Sequence, residues 1–243
     1  FYTEMLLARG FDSNHPFQLG GYSEGGLIAY EVARQLQLRG REVKNIVMID
    51  VPYPHRSSPF SGGEDLRRLR YAMVYLNLMV MNNLGSFTDL NNLRLENVGV
   101  EEIVPYLVNA GMEKGIRYSS QELQAMIDRY YQIAEANERA AETYMIEDLP
   151  SSGAVECHYF QRKSQGVYFH PKRFKVSIIE QVNKYYRNKK CADKWRRHLP
   201  NFNYCLTTAS DHFSLLSEPE PFELILEACR NLYNIRLSQT AQE

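Results

Sequence analysis

Apolar and polar positions change period along this chain, and each change marks an element. Phe1, Tyr2, Met5 and Leu6 recur near helical spacing, which predicts a short helix over residues 1–10 with these side chains inward. Residues 11–16 turn the chain into a strand ending at Phe17-Gln18-Leu19. Leu27, Tyr30, Ala33 and Leu36 again follow the helical repeat and predict a helix that the charged segment Arg39-Gly40-Arg41-Glu42 closes. Residues 43–49, with Ile46-Val47-Met48-Ile49 at their heart, form a run without alternation, the mark of a parallel strand buried on both faces. Pro52 and Pro54 then take the chain out of the sheet.

From 57 to 150 the helical period continues with no strand between. Helices are expected over 64–84, 101–114 and 119–145, the last opened by a capping box of Ser119 and Glu122. Strands resume at 154–160 and 203–207, and a helix over 221–232 closes the chain. This order predicts an α/β class with a mostly parallel sheet and flanking helices. It predicts one domain over 1–243, with a core of 1–56 and 151–243 and a helical lid insertion at 57–150. Met73, Tyr75, Met79, Met81, Tyr130, Tyr131 and Tyr144 either line an apolar cavity there or are ordinary helix core.

The candidate chemistry begins where the first strand meets its helix, at Gly20-Gly21-Tyr22-Ser23-Glu24-Gly25-Gly26. A Gly-x-Ser-x-Gly at a strand-to-helix joint resembles the nucleophile elbow of the α/β-hydrolase fold, in which a strained serine is exposed and glycines allow a close crossing. In that fold several strands precede the elbow. Only one helix and one strand do so here, so the N-terminal strands of the sheet are expected to be missing from this sequence. Asp50 follows the next strand and should share the carboxyl edge with Ser23, unless it serves only as a turn residue. No carboxylate occurs between Glu156 and Glu180, the place where most such hydrolases keep a triad acid, which favours Asp50 by elimination. His212 follows the last strand, completing the chain order Ser23, Asp50, His212. A serine hydroxyl needs a base, and an imidazole needs a carboxylate to hold its tautomer. His158 falls inside a strand and reads as core, while His15, His55, His170 and His198 fall in loops or polar stretches.

Composition narrows the partners. Across 243 residues, 44% are hydrophobic, enough for a sizeable core. A formal net charge of −1 argues against nucleic acid as a partner. No apolar run approaches the roughly 18 residues of a membrane span. Cys157, Cys191, Cys205 and Cys229 have neither metal nor disulfide-framework spacing and read as reduced thiols of a cytoplasmic protein. Neither a metal nor a redox cofactor is expected, since no ligand cluster or dinucleotide loop occurs. The stretch 176–198, basic with Tyr185, Tyr186 and Trp195, reads as a solvated helical face or as a docking patch for an acidic partner.

Four stretches together, Gly20 to Gly26, Ala29 to Leu36, Ile49-Asp50 with Pro52 and Pro54, and Ser210-Asp211-His212-Phe213, resemble the thioesterase domain that ends polyketide synthases and nonribosomal peptide synthetases. Within that group the likeness is greatest to the terminal thioesterase or Claisen-cyclase domains of iterative polyketide synthases. It covers 1–56 and 154–232, and the lid only by position and helical character. It implies Ser23 as nucleophile, His212 as base, Asp50 as acid, and the Glu24 backbone N–H as an oxyanion donor, the second donor lying outside this sequence. Tyr22, Met79 and Tyr131 are then candidate acyl contacts. It further implies a phosphopantetheine-borne acyl substrate, an acyl or peptidyl carrier domain as partner, no cofactor of the domain's own, and release by water or an internal nucleophile. Glu24 departs from the small or apolar residue usual after the serine. A stand-alone proofreading thioesterase, an esterase or lipase, and a non-catalytic ligand-binding module of the same fold remain as alternatives.

Overall fold

The computed structural model describes residues 1–9, 15–54, 117–163, 191–209, 212 and 214–233, with isolated positions 71, 75, 102, 105, 108, 109, 112 and 113. Its elements run α1 (Tyr2–Ala8), β1 (Phe17–Tyr22), α2 (Glu24–Leu38), β2 (Val43–Ile49), α3 (Ser120–Thr143), β3 (Glu156–Arg162), α4 (Cys191–His198), β4 (Asn201–Thr207), α5 (Ser214–Ser217) and α6 (Pro219–Tyr233). The chain divides into two compact units. One holds all four strands, running from Phe1 to Tyr53 and resuming at Ile146; the other holds α3.

The four strands pair in chain order, β1-β2-β3-β4, and every pair is parallel. Parallel neighbours need crossovers, and right-handed crossovers that always step in one direction put their helices on one face. Accordingly α2 and α4 share a face: Tyr30, Ala33 and Leu36 pack with Ile46, Met48, Cys157, Tyr159, Trp195 and Leu199. Each large side chain fully buried in such a layer contributes roughly 1.5–3 kcal/mol. The opposite face carries Val47 and Phe160, covered by Leu215 of α5 and Ile225 of α6. The tail of α6 is tied down by Tyr233, whose hydroxyl donates to the Leu19 carbonyl at 3.0 Å. Burial pushes that phenol up to about 12.

Local signals behave as the pattern implies, with small corrections. Helix α2 ends in a Schellman arrangement: Gly40 adopts φ +72°, its N–H donates to Gln37 O, and Arg41 N–H donates to Leu36 O. The capping box of α3 is present, with Ser119 accepting from Glu122 N–H and the Glu122 carboxylate accepting from Ser119 N–H. In α1 the inward face differs from expectation. Phe1, Tyr2 and Met5 are exposed, whereas Thr3 is buried and Leu6 and Leu7 pack on the core. Thr3 is drawn inward by a hydrogen bond to Gln35 of α2 at 3.0 Å, a contact that hydrophobic periodicity cannot register. His158 is not core either; it stands half-buried and bonded to Glu156 at 2.8 Å. His198 binds Asp148 at 2.6 Å through Nδ1 and the Tyr53 hydroxyl at 3.0 Å through Nε2. One imidazole thus holds both the end of the outgoing segment and the start of the returning one. None of the four cysteines forms a disulfide, the Cys191 sulfur accepts from the Tyr53 N–H at 3.0 Å, and burial raises the thiol pKa of Cys157, Cys205 and Cys229.

Close packing at the joint of β1 and α2 makes a graded prediction. A Cβ on Gly21 would stand 2.2 Å from the Gly25 carbonyl group, and one on Gly26 would stand 2.1 Å from Cγ2 of Val51. A Cβ on Gly25 would meet nothing within 4 Å. Gly25→Ala should therefore leave the melting temperature unchanged or slightly raised. Gly26→Ala should cost about 1–3 kcal/mol by overpacking, and Gly21→Ala, which strikes backbone, at least as much. Thermal unfolding of the three variants checks the ranking, and equal Tm values would refute the crossing as the source of the glycine requirement.

Candidate active site

The parallel register brings the sequence candidates to one edge. Tyr22 pairs with Ile49 and Ile49 with Phe160, so the next residues, Ser23 and Asp50, are lateral neighbours at adjacent strand ends. The ladder continues through both, with Ser23 N–H donating to Ile49 O at 2.8 Å and Asp50 N–H donating to Phe160 O at 2.7 Å. Ser23 and Asp50 are the non-glycine residues with positive φ among the described residues, at +55° and +47°. Such conformations cost energy and are held by surrounding structure, which makes their coincidence at two candidate positions informative. For Ser23 the holding contact is the Gly21–Gly25 approach; for Asp50 it is the ladder bond and the wedging of Val51 against Gly26.

His212 reaches this edge from beyond β4. Its Nδ1 lies 2.7 Å from Asp50 Oδ2, and both side chains are buried. An ionised carboxylate only accepts, so Nδ1 carries the proton and Nε2 is the basic atom of the neutral ring. Tyr22 fixes the imidazole from below: the two rings stack at 4.4 Å with an interplanar angle of 19°, and the tyrosine hydroxyl donates to the His212 carbonyl at 2.8 Å. The residue just before Ser23 is thereby a support for His212.

Glu24, the residue after Ser23, opens α2 and its carboxyl feels the same imidazole. Glu24 is exposed, yet partial desolvation of its carboxyl raises its pKa while His212 opposes the rise. Its N–H is the first of the helix, where no carbonyl four residues back is available within the helix and the dipole favours a developing negative charge.

One residue at this edge was not singled out from the sequence. Arg162, the last residue of β3, is buried and its guanidinium makes an ion pair with Asp50 Oδ2, the oxygen that also faces His212. A signal for it existed: the strand end where an acid usually stands carries a buried arginine instead. Of the candidate acyl contacts, Tyr131 is buried in the second unit with the Tyr71 ring at 6.0 Å, and Met79 lies outside the described residues. Asp211 also lies outside them, as does most of the basic stretch 176–198. In its described part Trp195 is fully buried, Arg196 covers Phe202 at 5.3 Å and Lys194 covers Tyr53 at 4.9 Å. Among the described residues no cluster of His, Cys, Asp and Glu could hold a metal ion, and no helix is long and apolar enough to cross a membrane.

Comparison with known proteins bears on the family. The chain is 29% identical over 239 residues to the polyketide synthase PksR of Bacillus subtilis (strain 168), covering 97% of this chain and 9% of that protein. Over 51 residues it is 43% identical to a non-reducing polyketide synthase of Pseudevernia furfuracea, covering 21% of this chain and 2% of that one. The chain therefore spans a small part of the curated relatives it matches. Among solved structures, a holo four-domain nonribosomal peptide synthetase bound to AMP and glycine superposes with a TM-score of 0.60 at 18% identity, covering 97% of this chain and 16% of that one. The family model for the thioesterase domain matches residues 2–233, and with its parallel sheet and elbow serine this chain belongs to the thioesterase domain family of the α/β-hydrolase fold.

Proposed function

We propose that this chain releases an acyl chain from the phosphopantetheine arm of a carrier domain in a polyketide or peptide assembly line, through an ester on Ser23. The observation that carries this reading is the Asp50–His212 hydrogen bond at 2.7 Å, made beside an elbow serine at φ +55°. The polyketide synthase relatives and the peptide synthetase likeness support the carrier-borne substrate. His212 Nε2 takes the proton from Ser23 Oγ as that oxygen attacks the thioester carbonyl. The oxyanion forms against the Glu24 N–H, and on collapse the C–S bond breaks while His212 returns the proton to the departing thiolate. Water, or a hydroxyl, amine or carbon nucleophile within the acyl chain, then attacks the ester; His212 takes that proton and delivers it to Oγ, restoring the enzyme. Asp50 stays ionised throughout and stabilises the imidazolium.

Ser23→Ala should abolish turnover of an acyl thioester by several orders of magnitude while circular dichroism and melting stay those of the parent. A fluorophosphonate probe should label the parent and not the variant. A parent that the probe leaves untouched, with no thioesterase activity, would point to a ligand-binding module instead.

Asp50→Asn should cost on the order of 10⁴ in rate by presenting the wrong tautomer to Ser23. Asp211→Asn, beside the histidine in sequence, should cost far less. The reverse ranking in a steady-state assay would move the acid to Asp211.

The segment 57–150 is proposed as a lid whose apolar face selects the acyl chain and excludes water from the acyl-enzyme. Shortening Met79 or Tyr131 should shift the ratio of hydrolysed to cyclised product more than the rate of acyl loading on Ser23. A product ratio that stays constant while loading falls would identify the segment as a docking platform or plain core.

A further inference from the structure

The carboxylate of Asp50 faces two donors, an imidazole and a guanidinium. On one side Oδ2 meets His212 Nδ1 at 2.7 Å, and on the other the same oxygen pairs with the Arg162 guanidinium. The three side chains are 1% (Asp50), 5% (Arg162) and 6% (His212) exposed, so water screens little of this. Among the described residues, the charges facing His212 include Glu24 at the start of α2, Asp50 after β2, and Arg162 at the end of β3 behind Asp50; the Tyr22 ring covers one face of the imidazole.

We propose that Arg162 is a positioning residue of this site, clamping Asp50 in its left-handed backbone and setting the lower end of the pH range in which His212 serves as a base. This rests on the catalytic reading of Ser23, His212 and Asp50. An aspartate alone beside a buried imidazole would stabilise the imidazolium strongly and keep the ring protonated toward neutral pH. With Arg162 present, Asp50 and Arg162 already neutralise one another, and protonating His212 leaves a buried net positive charge. The ring therefore stays neutral, and able to accept the Ser23 proton, to lower pH than it would without the arginine. The clamp also explains the residue type. A neutral side chain at 162 would leave the buried Asp50 carboxylate without a balancing charge whenever the imidazole is neutral, which is strongly destabilising.

The test is the pH dependence of Ser23 phosphonylation by a fluorophosphonate, read as the rate constant for the labelled fraction so that unfolded protein does not contribute. In wild type the rate rises with pH through one ionisation, that of His212. In Arg162→Gln this limb should move upward by about one pH unit or more. In Arg162→Lys, which keeps the charge but loses the forked donor, it should move up by less than half as much, with most of the plateau rate restored. Limbs that coincide in all three proteins, whatever their plateau rates, would overturn the proposal and leave Arg162 a structural residue. Should Arg162→Gln give no folded protein, Arg162→Met, which removes the charge but keeps an unbranched stem, takes its place: a limb raised by about one pH unit supports the clamp, and an unmoved limb refutes it. Failure of the catalytic reading looks different, since a wild type that the probe does not label at any pH would sink both together, whereas labelling with unmoved limbs sinks the role of Arg162 alone.

Discussion

The approach of Gly21 to the Gly25 backbone, with Gly26 against Val51, is the constraint from which the rest of the site follows. Two segments cross there at a distance that admits no Cβ, so the chain must reverse over a single residue, and Ser23 takes the left-handed conformation as a result. Val51 wedges into the same crossing directly after Asp50. One contact thereby seats both the end of β1 and the end of β2. The motif as usually written marks glycines two before and two after the serine, but here the second steric demand falls on Gly26, because Gly25 supplies backbone to the crossing and Gly26 supplies the space beside Val51.

Around that crossing the molecule assembles a buried, charged group without leaving it unpaired. Asp50 is taken out of water, which is costly for a lone carboxylate, and is matched by an arginine on β3 and an imidazole from the loop after β4. Tyr22 holds the imidazole by stacking and by its hydroxyl, so the residue that leads into the elbow also fixes the base. The site is therefore contributed by four strand ends, and the Asp50 carboxylate at its centre has protein partners in place of solvent. That arrangement accords with the general tendency of open parallel sheets to carry reactive groups at the carboxyl ends of their strands.

A second polar centre lies within the sheet unit, where its chain is interrupted between Tyr53 and Ile146. His198 binds Tyr53, where the chain leaves the sheet unit, and Asp148, just after it returns. The Arg34 guanidinium reaches Glu147 at 2.6 Å, and the Tyr30 hydroxyl donates to the Glu147 carbonyl at 2.9 Å. Both connections are consequently anchored on α2 and α4 within the sheet unit. Buried aromatic packing of Tyr30 and Tyr53 around Trp195 backs these bonds.

The sequence by itself determined the strand from 43 to 49, the capping box at Ser119 and the strand-to-helix joint at Ser23, and it placed His212 after the last strand, while the helices expected over 64–84 and 101–114 lie outside the described residues. These are local properties: a period, a cap, a glycine spacing, a histidine after a last strand, each carried by residues a few positions apart. Asp50 was legible from its place at a strand's carboxyl end and by elimination, against the bland use that an aspartate at a turn has in any fold. Tertiary structure alone decided the partnerships. Arg162 lies 112 positions from Asp50, and that pairing depends on the β2–β3 register; Tyr22 meets His212 across 190 positions; the inward turn of Thr3 depends on Gln35 of another helix. Long-range hydrogen bonds and ion pairs leave no periodic trace in a chain, because either partner has an equally good use in water. Only the sheet register, which sets strand ends side by side, makes one of those uses the one adopted.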